Sequence, residues 1–368
     1  MVTSPTSSAV VVGAGIAGAS VAFALASRGV AVTVVDDGAD GQATQAGAGI
    51  VAPWTVTEEG PYYDLYAAGG GYYPTLLERL SAAGVTSTDY RRTGALVVHR
   101  DPAVLEEAEQ RLRRRAAAAG PVAGEVARLD PAQTRELFPP LAEDLGGVLL
   151  TGGGRVDGRT LRDALLSAAG RYGARQVTER ARLTRYGERS VVAVDGTPLE
   201  ADAVVVAAGA WTPRLLADAV VPVEPQRGQI THLRLDGVDT SGWPTVTPVA
   251  PHYLVAFDGG RVVVGATRET GSGFDPRITA AGQAQVLQDA LAVAPGLADA
   301  TLVETRVGLR PLAEMPVVGQ VPGEDGVWVA TGFGAGGLTM GPLVGDALAR
   351  AILGEEAPEI AGLAPSPA

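Results

Sequence analysis

VVVGAGIAGASVAFALASRGVAVTVVDDG, residues 10–38, decides the fold. The apolar run 10–12 ends in Gly-Ala-Gly, residues 16–27 have helical character, and the largely β-branched run 30–35 stops at Asp36. Strand, tight turn, helix and strand make a βαβ unit. Its turn carries Gly13, Gly15 and Gly18 as GxGxxG. With Gly at 49 of 368 positions, the bare pattern is expected about once by chance, and a second copy stands at Gly332, Gly334 and Gly337. Only the first copy is followed by a second strand closing on an acid. That context supplies the mechanism: a sharp turn, close backbone approach to a pyrophosphate at a helix N-terminus, and a carboxylate for ribose hydroxyls. The first copy therefore predicts a dinucleotide site built from Gly13, Gly15, Ile16, Ala17, Gly18, Asp36 and Asp37.

Working outward, residues 161–172 predict an amphipathic helix, 203–208 a buried strand, 327–330 a strand and 343–353 a helix. Between these lie segments of different character. Residues 86–148 combine a strand at 95–99 with a charged, Ala-rich helix starting near Pro102. Residues 222–306 are strand-rich, with runs at 229–235, 253–257 and 261–266. The expected architecture is α/β with an α+β second domain: a Rossmann-like part (1–85, 149–221 and 307–368) interleaved with a mixed-sheet part (86–148 and 222–306). Residues 1–8 and the Pro/Ala-rich stretch after Glu355 read as loose ends.

Composition narrows the chemistry. There is no Cys, and all 29 Lys+Arg positions are Arg. Disulfides, thiolate ligands, Schiff-base lysines and a P-loop lysine are thereby removed. The three histidines, His99, His232 and His252, are too separated for a His-rich metal cluster, and no metal site is expected. A net charge of −12 argues against nucleic acid. The basic run Arg111 and 113–115 reads as a solvated helix face. No apolar run approaches the roughly 20 residues of a membrane span, and the opening residues lack a basic n-region, so the expected location is the cytoplasm. Monomer and homo-oligomer remain equally open.

A nicotinamide or a flavin dinucleotide would fit the first unit. Three further segments favour the flavin. QATQAGAGI (42–50) is a Thr/Gly/Ala loop suited to wrapping a ligand, AAGAW (207–211) ends a buried strand in small residues, and GFGAGGLTMG (332–341) brings backbone N–H groups to the last helix. With GRVDGRTLRDAL (154–165), PQRGQ (225–229), YLVAFDGGRVVVGAT (253–267) and GLRPLAEMPVVG (308–319), the chain resembles the D-amino-acid oxidase family of FAD-dependent oxidoreductases, over nearly its whole length. The likeness is greatest to the glycine/sarcosine oxidase and D-amino-acid dehydrogenase-like branch.

That resemblance implies FAD, held non-covalently since no cysteine can tether it. It also implies oxidation of a small amino acid (a D-amino acid, glycine or an N-alkylglycine). The hydrogen on Cα leaves as hydride to flavin N5, and the resulting imino acid hydrolyses to a keto acid and ammonia or amine. Hydrogen peroxide forms if oxygen is the acceptor. Oxidation of another amine or of a 2-hydroxy acid, or a flavin subunit that needs partner chains, are the alternatives. Arg310 matches the family's substrate-carboxylate arginine, whose planar fork suits two parallel hydrogen bonds. From its residue type alone it reads more readily as a structural ion-pair partner, for instance of Glu304 or Glu314. Tyr253 matches the tyrosine that assists it, though Ala256 stands where the family usually has Pro. His252, alternating to the opposite strand face, reads as structural. No acid/base residue is assigned. Thr44, Ala46, Gly47, Ile50, Ala208, Gly209, Trp211, Gly334, Gly336, Gly337, Leu338 and Thr339 complete the expected cofactor contacts. Trp54 reads as a pocket aromatic or as packing, and Arg227 as a residue of the pocket mouth.

Overall fold

The computed structural model describes residues 6–186, 189–216 and 221–366. The opening βαβ unit forms as expected, with strands Ser8–Val12 and Ala31–Val35 flanking the helix Ile16–Ala26. The two strands pair in parallel, from Ser8 opposite Ala31 to Val12 opposite Val35. They lie inside a six-stranded sheet ordered Val317–Gln320, Val327–Thr331, Ala203–Val206, Ser8–Val12, Ala31–Val35, Arg175–Val177. Only Val317–Gln320 runs antiparallel to its neighbour. Parallel strands need crossovers on the faces, and the near-continuous apolar runs of 9–12, 203–206 and 327–331 are what burial on both faces demands.

One face carries the helices Ile16–Ala26, Pro61–Ala82, Gly158–Arg171 and Gly337–Ile352, enclosing a core that includes Val11, Leu25, Leu80, Leu165 and Val344. The 22-residue helix Pro61–Ala82 has no counterpart in the sequence reading. Three glycines at 69–71 and an internal Pro74 hide its periodicity. Asp346 on the last helix joins three helices, accepting from Arg28 at 2.9 Å and from Arg79 on the long helix.

The second sheet has eight strands, ordered Thr301–Leu312, Glu224–Arg234, Arg261–Gly265, Tyr253–Ala256, Thr245–Pro248, Ala95–His99, Gly146–Leu150, Val126–Leu129. It is antiparallel except where Thr245–Pro248 runs parallel to Ala95–His99, which makes it the expected mixed sheet. The helix Ala280–Val293 covers one face over Leu233, Leu254 and Val264. The strand Thr301–Leu312 is continuous through residue 307 and delivers Arg310 near its far end.

The first five residues, taken from the sequence as part of a loose tail, lie outside the described residues, as do 367 and 368. The stretch after Glu355 departs from expectation. Pro358–Ile360 forms a 3-10 turn, Ile360 is buried, and the Val318 N–H donates to the Leu363 carbonyl at 2.7 Å. Ile360 and Leu363 supply the apolar surface that docks this segment against the core. Among the described residues no helix is long and apolar enough to cross a membrane, and none forms a His/Cys/Asp/Glu group able to hold a metal.

Candidate active site

The two sheets meet at a cavity of about 750 Å³, in the range usual for small-molecule and cofactor sites. Its first wall is the glycine turn. Gly13 has φ +103°, and a Cβ there would lie 2.4 Å from the Ala207 carbonyl oxygen, so only glycine fits. A Cβ on Gly18 would lie 1.9 Å from the Gly13 oxygen. Gly18 thus seats the helix on the turn and does not itself line the cavity. Gly13, Gly15, Ile16 and Ala17 do line it. The helix is capped by Gly15 without a side-chain bond, so its N-terminal partial positive charge faces the cavity.

Asp36 ends its strand beside this turn. One carboxylate oxygen accepts from the Ala14 N–H at 2.6 Å, the other from the Gly38 N–H at 2.7 Å and Gln42 Nε2 at 2.9 Å. Asp37 lines the same edge, 3.8 Å from Arg180. Thr44 Oγ1 accepts from the Ile16 N–H at 2.9 Å, locking the 42–50 loop onto the first helix. Ala46, Gly47 and Ile50 from that loop, Ala208, Gly209 and Trp211 following the interior strand Ala203–Val206, and Gly334, Gly336, Gly337 and Leu338 at the start of the last helix all face the cavity. Thr339 does not. It is buried behind the wall, its hydroxyl donating to the Ile50 carbonyl at 3.0 Å. That helix too starts at a glycine, Gly336, with no side-chain cap.

Arg310 lies between the dinucleotide elements. The N–H of Leu309 donates to Gly41 O at 2.8 Å, and the N–H of Gly334 to Pro311 O at 2.9 Å. The strand end is thus stitched to both glycine-rich loops. The Arg310 guanidinium donates to the Thr267 carbonyl at 3.0 Å and to Gln226 Oε1 at 3.3 Å, with the Tyr253 hydroxyl beside it. It crosses the backbone of the neighbouring strand at Gly228, where a Cβ would lie 2.4 Å from Nη2. No ion pair engages it among the described residues. Glu304 is taken by Arg306 at 2.5 Å, which disposes of that structural partner. Burial holds the Arg310 pKa below its usual value, with Arg268 pushing the same way and Tyr253 opposing. Burial likewise raises that of Tyr253, against the pull of Arg310 and Arg268. Both side chains line the cavity.

Two sequence assignments change, those of Arg227 and His252, and of the two readings of Trp54 packing holds. Trp54 is fully buried among Leu105, Leu112 and Val148, a packing residue away from the cavity. Arg227 is buried in ion pairs with Glu269 (2.7 Å) and Asp275 (3.0 Å), and is absent from the cavity wall. His252, expected on the opposite face, instead lines the cavity, because it precedes the strand Tyr253–Ala256 and escapes strand alternation. The basic run also divides. Arg113 pairs with Glu109 on the surface, Arg115 is buried on the carbonyls of Trp54, Val56 and Glu58, and Arg111 faces the cavity. Tyr62, Tyr66 and Arg268 are cavity residues that the sequence reading missed. The Gly60-Pro61 helix start, with tyrosines at four-residue spacing, was a usable signal for the first two. Nothing local marks Arg268.

A glycine turn, an acid at the second strand's end, two helix N-termini that begin at glycine and an arginine without an ion-pair partner among the described residues share one cavity, the arrangement of a dinucleotide-dependent oxidoreductase. The comparisons agree. The family model described as FAD dependent oxidoreductase matches residues 8–351, and the chain belongs to this family, that of D-amino-acid oxidase. It is 44% identical over 354 residues to an uncharacterized oxidoreductase, YurR, of Bacillus subtilis, covering 94% of this chain and 95% of the relative. The crystal structure of iminodiacetate oxidase from Chelativorans sp. BNC1 superposes with a TM-score of 0.93 at 47% identity, covering 97% and 98% of the two chains. Glycine oxidase from Geobacillus kaustophilus gives 0.83 at 27% identity, with complete coverage of both. The protein is an FAD-dependent oxidoreductase.

Proposed function

We propose that this enzyme oxidises the Cα–N bond of a small α-amino acid: glycine, a D-amino acid, or a glycine whose nitrogen carries an alkyl or carboxymethyl group. The substrate loses two electrons and two protons to become an imino acid, which water hydrolyses to a keto acid and ammonia or amine. The observation that carries this reading is Arg310, enclosed beside Tyr253 in the cavity with no acidic partner among the described residues. A buried, unpaired guanidinium calls for an anion, and its fork suits the carboxylate every amino acid carries. The similarity to iminodiacetate oxidase and glycine oxidase supports a substrate with nitrogen next to that carboxylate's α-carbon.

Bound FAD supplies the acceptor for the hydrogen and electron pair that leave Cα. Gly13, Gly15, Ile16 and Ala17 would hold its pyrophosphate, and Asp36 its ribose hydroxyls. The 42–50 loop and Gly334–Leu338 would hold the remainder, with the partial positive charge of the last helix stabilising negative charge. Arg310 and Tyr253 fix the substrate by its carboxylate, which limits how its α-carbon can lie. Tyr62 and Tyr66 wall the cavity with apolar rings that exclude water. In the same reading, the six-stranded sheet with its helices forms the FAD-binding part, and the eight-stranded sheet forms the substrate-binding part.

The test is to record the visible spectrum of the purified protein, then to screen glycine, sarcosine, iminodiacetate, D- and L-alanine and 2-hydroxy acids. Anaerobic bleaching of the flavin and aerobic peroxide are the readouts. Bleaching by amino acids is expected. Flavin bleached only by 2-hydroxy acids, or by none of these compounds, overturns the substrate assignment.

A further inference from the structure

Arg268 is a second cation at the same end of the cavity, and the mechanism above leaves it unused. It follows Thr267, whose carbonyl holds Arg310, and its own Nη1 donates to the carbonyl of Pro251, two residues before Tyr253. Segments 251–253 and 267–268 thus carry Tyr253 and Arg268 to the place where Arg310, from the strand Thr301–Leu312, bonds to Thr267. Arg268 lines the cavity while remaining exposed to solvent. Among the described residues it has no ion-pair partner. The adjacent carboxylate, Glu269, is engaged elsewhere, by Arg227 at 2.7 Å, Gln229 at 2.6 Å and Thr267 at 2.7 Å. Each guanidinium is close enough to influence its surroundings electrostatically: Arg268 opposes the charge on Arg310 and favours ionisation of Tyr253.

Water solvates exposed Arg268 in the open cavity, so a counter-charge is called for only once a bound ligand covers it beside Arg310. A monocarboxylate neutralises Arg310 and, on filling the cavity, covers Arg268 with groups that cannot pair with it. A substrate with a second carboxylate on its nitrogen substituent or side chain supplies both partners. Penalising the first kind while pairing with the second is how a site separates two similar ligands.

We propose that Arg268 is a specificity-determining residue that binds a second carboxylate, making N-carboxymethyl amino acids and related amino diacids the preferred substrates. This rests on the reading of the cavity as an amino-acid site anchored by Arg310.

The test uses the FAD-loaded enzyme and compares iminodiacetate with sarcosine, which differ by that one carboxylate. Wild type should favour iminodiacetate in kcat/KM. Arg268→Gln should reduce the iminodiacetate-to-sarcosine ratio by about 10- to 100-fold, the range for losing a charged hydrogen bond. Arg268→Lys, which keeps the charge without the fork, should recover part of it. A second readout needs no turnover: the Kd of oxydiacetate relative to methoxyacetate, read from perturbation of the flavin spectrum, should shift in the same sense. Ratios within threefold of wild type, or a shift produced equally by Arg111→Gln, would overturn the assignment. If no amino acid bleaches the flavin, the parent reading fails, and the oxydiacetate-to-methoxyacetate ratio still decides the role of Arg268.

Discussion

At the scale of single residues the proposed chemistry rests on Arg310. Its partners are a carbonyl, an amide oxygen and a phenol, all neutral, so its charge is neutralised only when an anion enters. Arg310→Ala should raise KM for carboxylate substrates by about 100-fold or more, from the loss of a bidentate charged pair. FAD absorbance should persist, and unchanged steady-state kinetics would remove Arg310 from the site. His232 illustrates a different residue-scale effect. It is buried with neither ring nitrogen partnered, and burial, reinforced by Arg306 and Arg261, brings its pKa down to about 4. Between about 6.5 and 4 the unfolded chain binds the proton that folded His232 refuses. This contribution to stability is therefore complete above about 6.5 and lost as pH falls towards 4. Denaturant midpoints measured across that window should fall less steeply for His232→Leu than for wild type.

At the scale of elements, the site depends on a strand crossing. The strands Glu224–Arg234 and Thr301–Leu312 pair with Gly228 opposite Gly308, and the Arg310 side chain folds back over Gly228. A Cβ there meets only the far end of a flexible side chain, so Gly228→Ala should fold and bind FAD while displacing the guanidinium. The expected result is a KM raised by about 10-fold, the scale of one weakened charged hydrogen bond, with kcat much less affected. Equal losses of flavin and activity would instead show a folding defect. Element identity was legible wherever the period was clean. The strands at 8–12, 31–35 and 95–99 and the helix Ile16–Ala26 announce themselves by apolar runs and alternation. The long helix Pro61–Ala82 was not legible, because AAGGG and Pro74 carry no helical signal of their own. Tertiary contact stabilises it: Tyr73 donates to the Leu338 carbonyl at 2.7 Å, and Leu76 and Leu80 are buried in the core.

On the scale of the whole molecule, the proposed function puts FAD and the substrate in one cavity between the two sheets, so cofactor binding should stabilise the fold as a unit. Adding FAD to the apo-protein at a hundredfold excess over Kd should raise the unfolding free energy by about 2.7 kcal/mol, measurable as a shift in Tm. Acid precipitation of the loaded enzyme should leave all the flavin in the supernatant, since no cysteine is present to hold it. Yellow pellets would show an unexpected covalent link.

By itself the sequence determined the opening βαβ unit with its glycine turn, the acid closing its second strand and the FAD-dependent family. Those features are local: a turn that tolerates only glycine, a helix start, an apolar period and a motif of fixed spacing. Only the tertiary structure decided which charges remain unpaired. Arg227, Arg268 and Arg310 are alike as letters, and each stands in or beside a strand. Glu269 and Asp275 neutralise the first, while the other two face the cavity. A guanidinium's role is set by what lies within a few ångströms of it, and those neighbours come from segments tens of residues away.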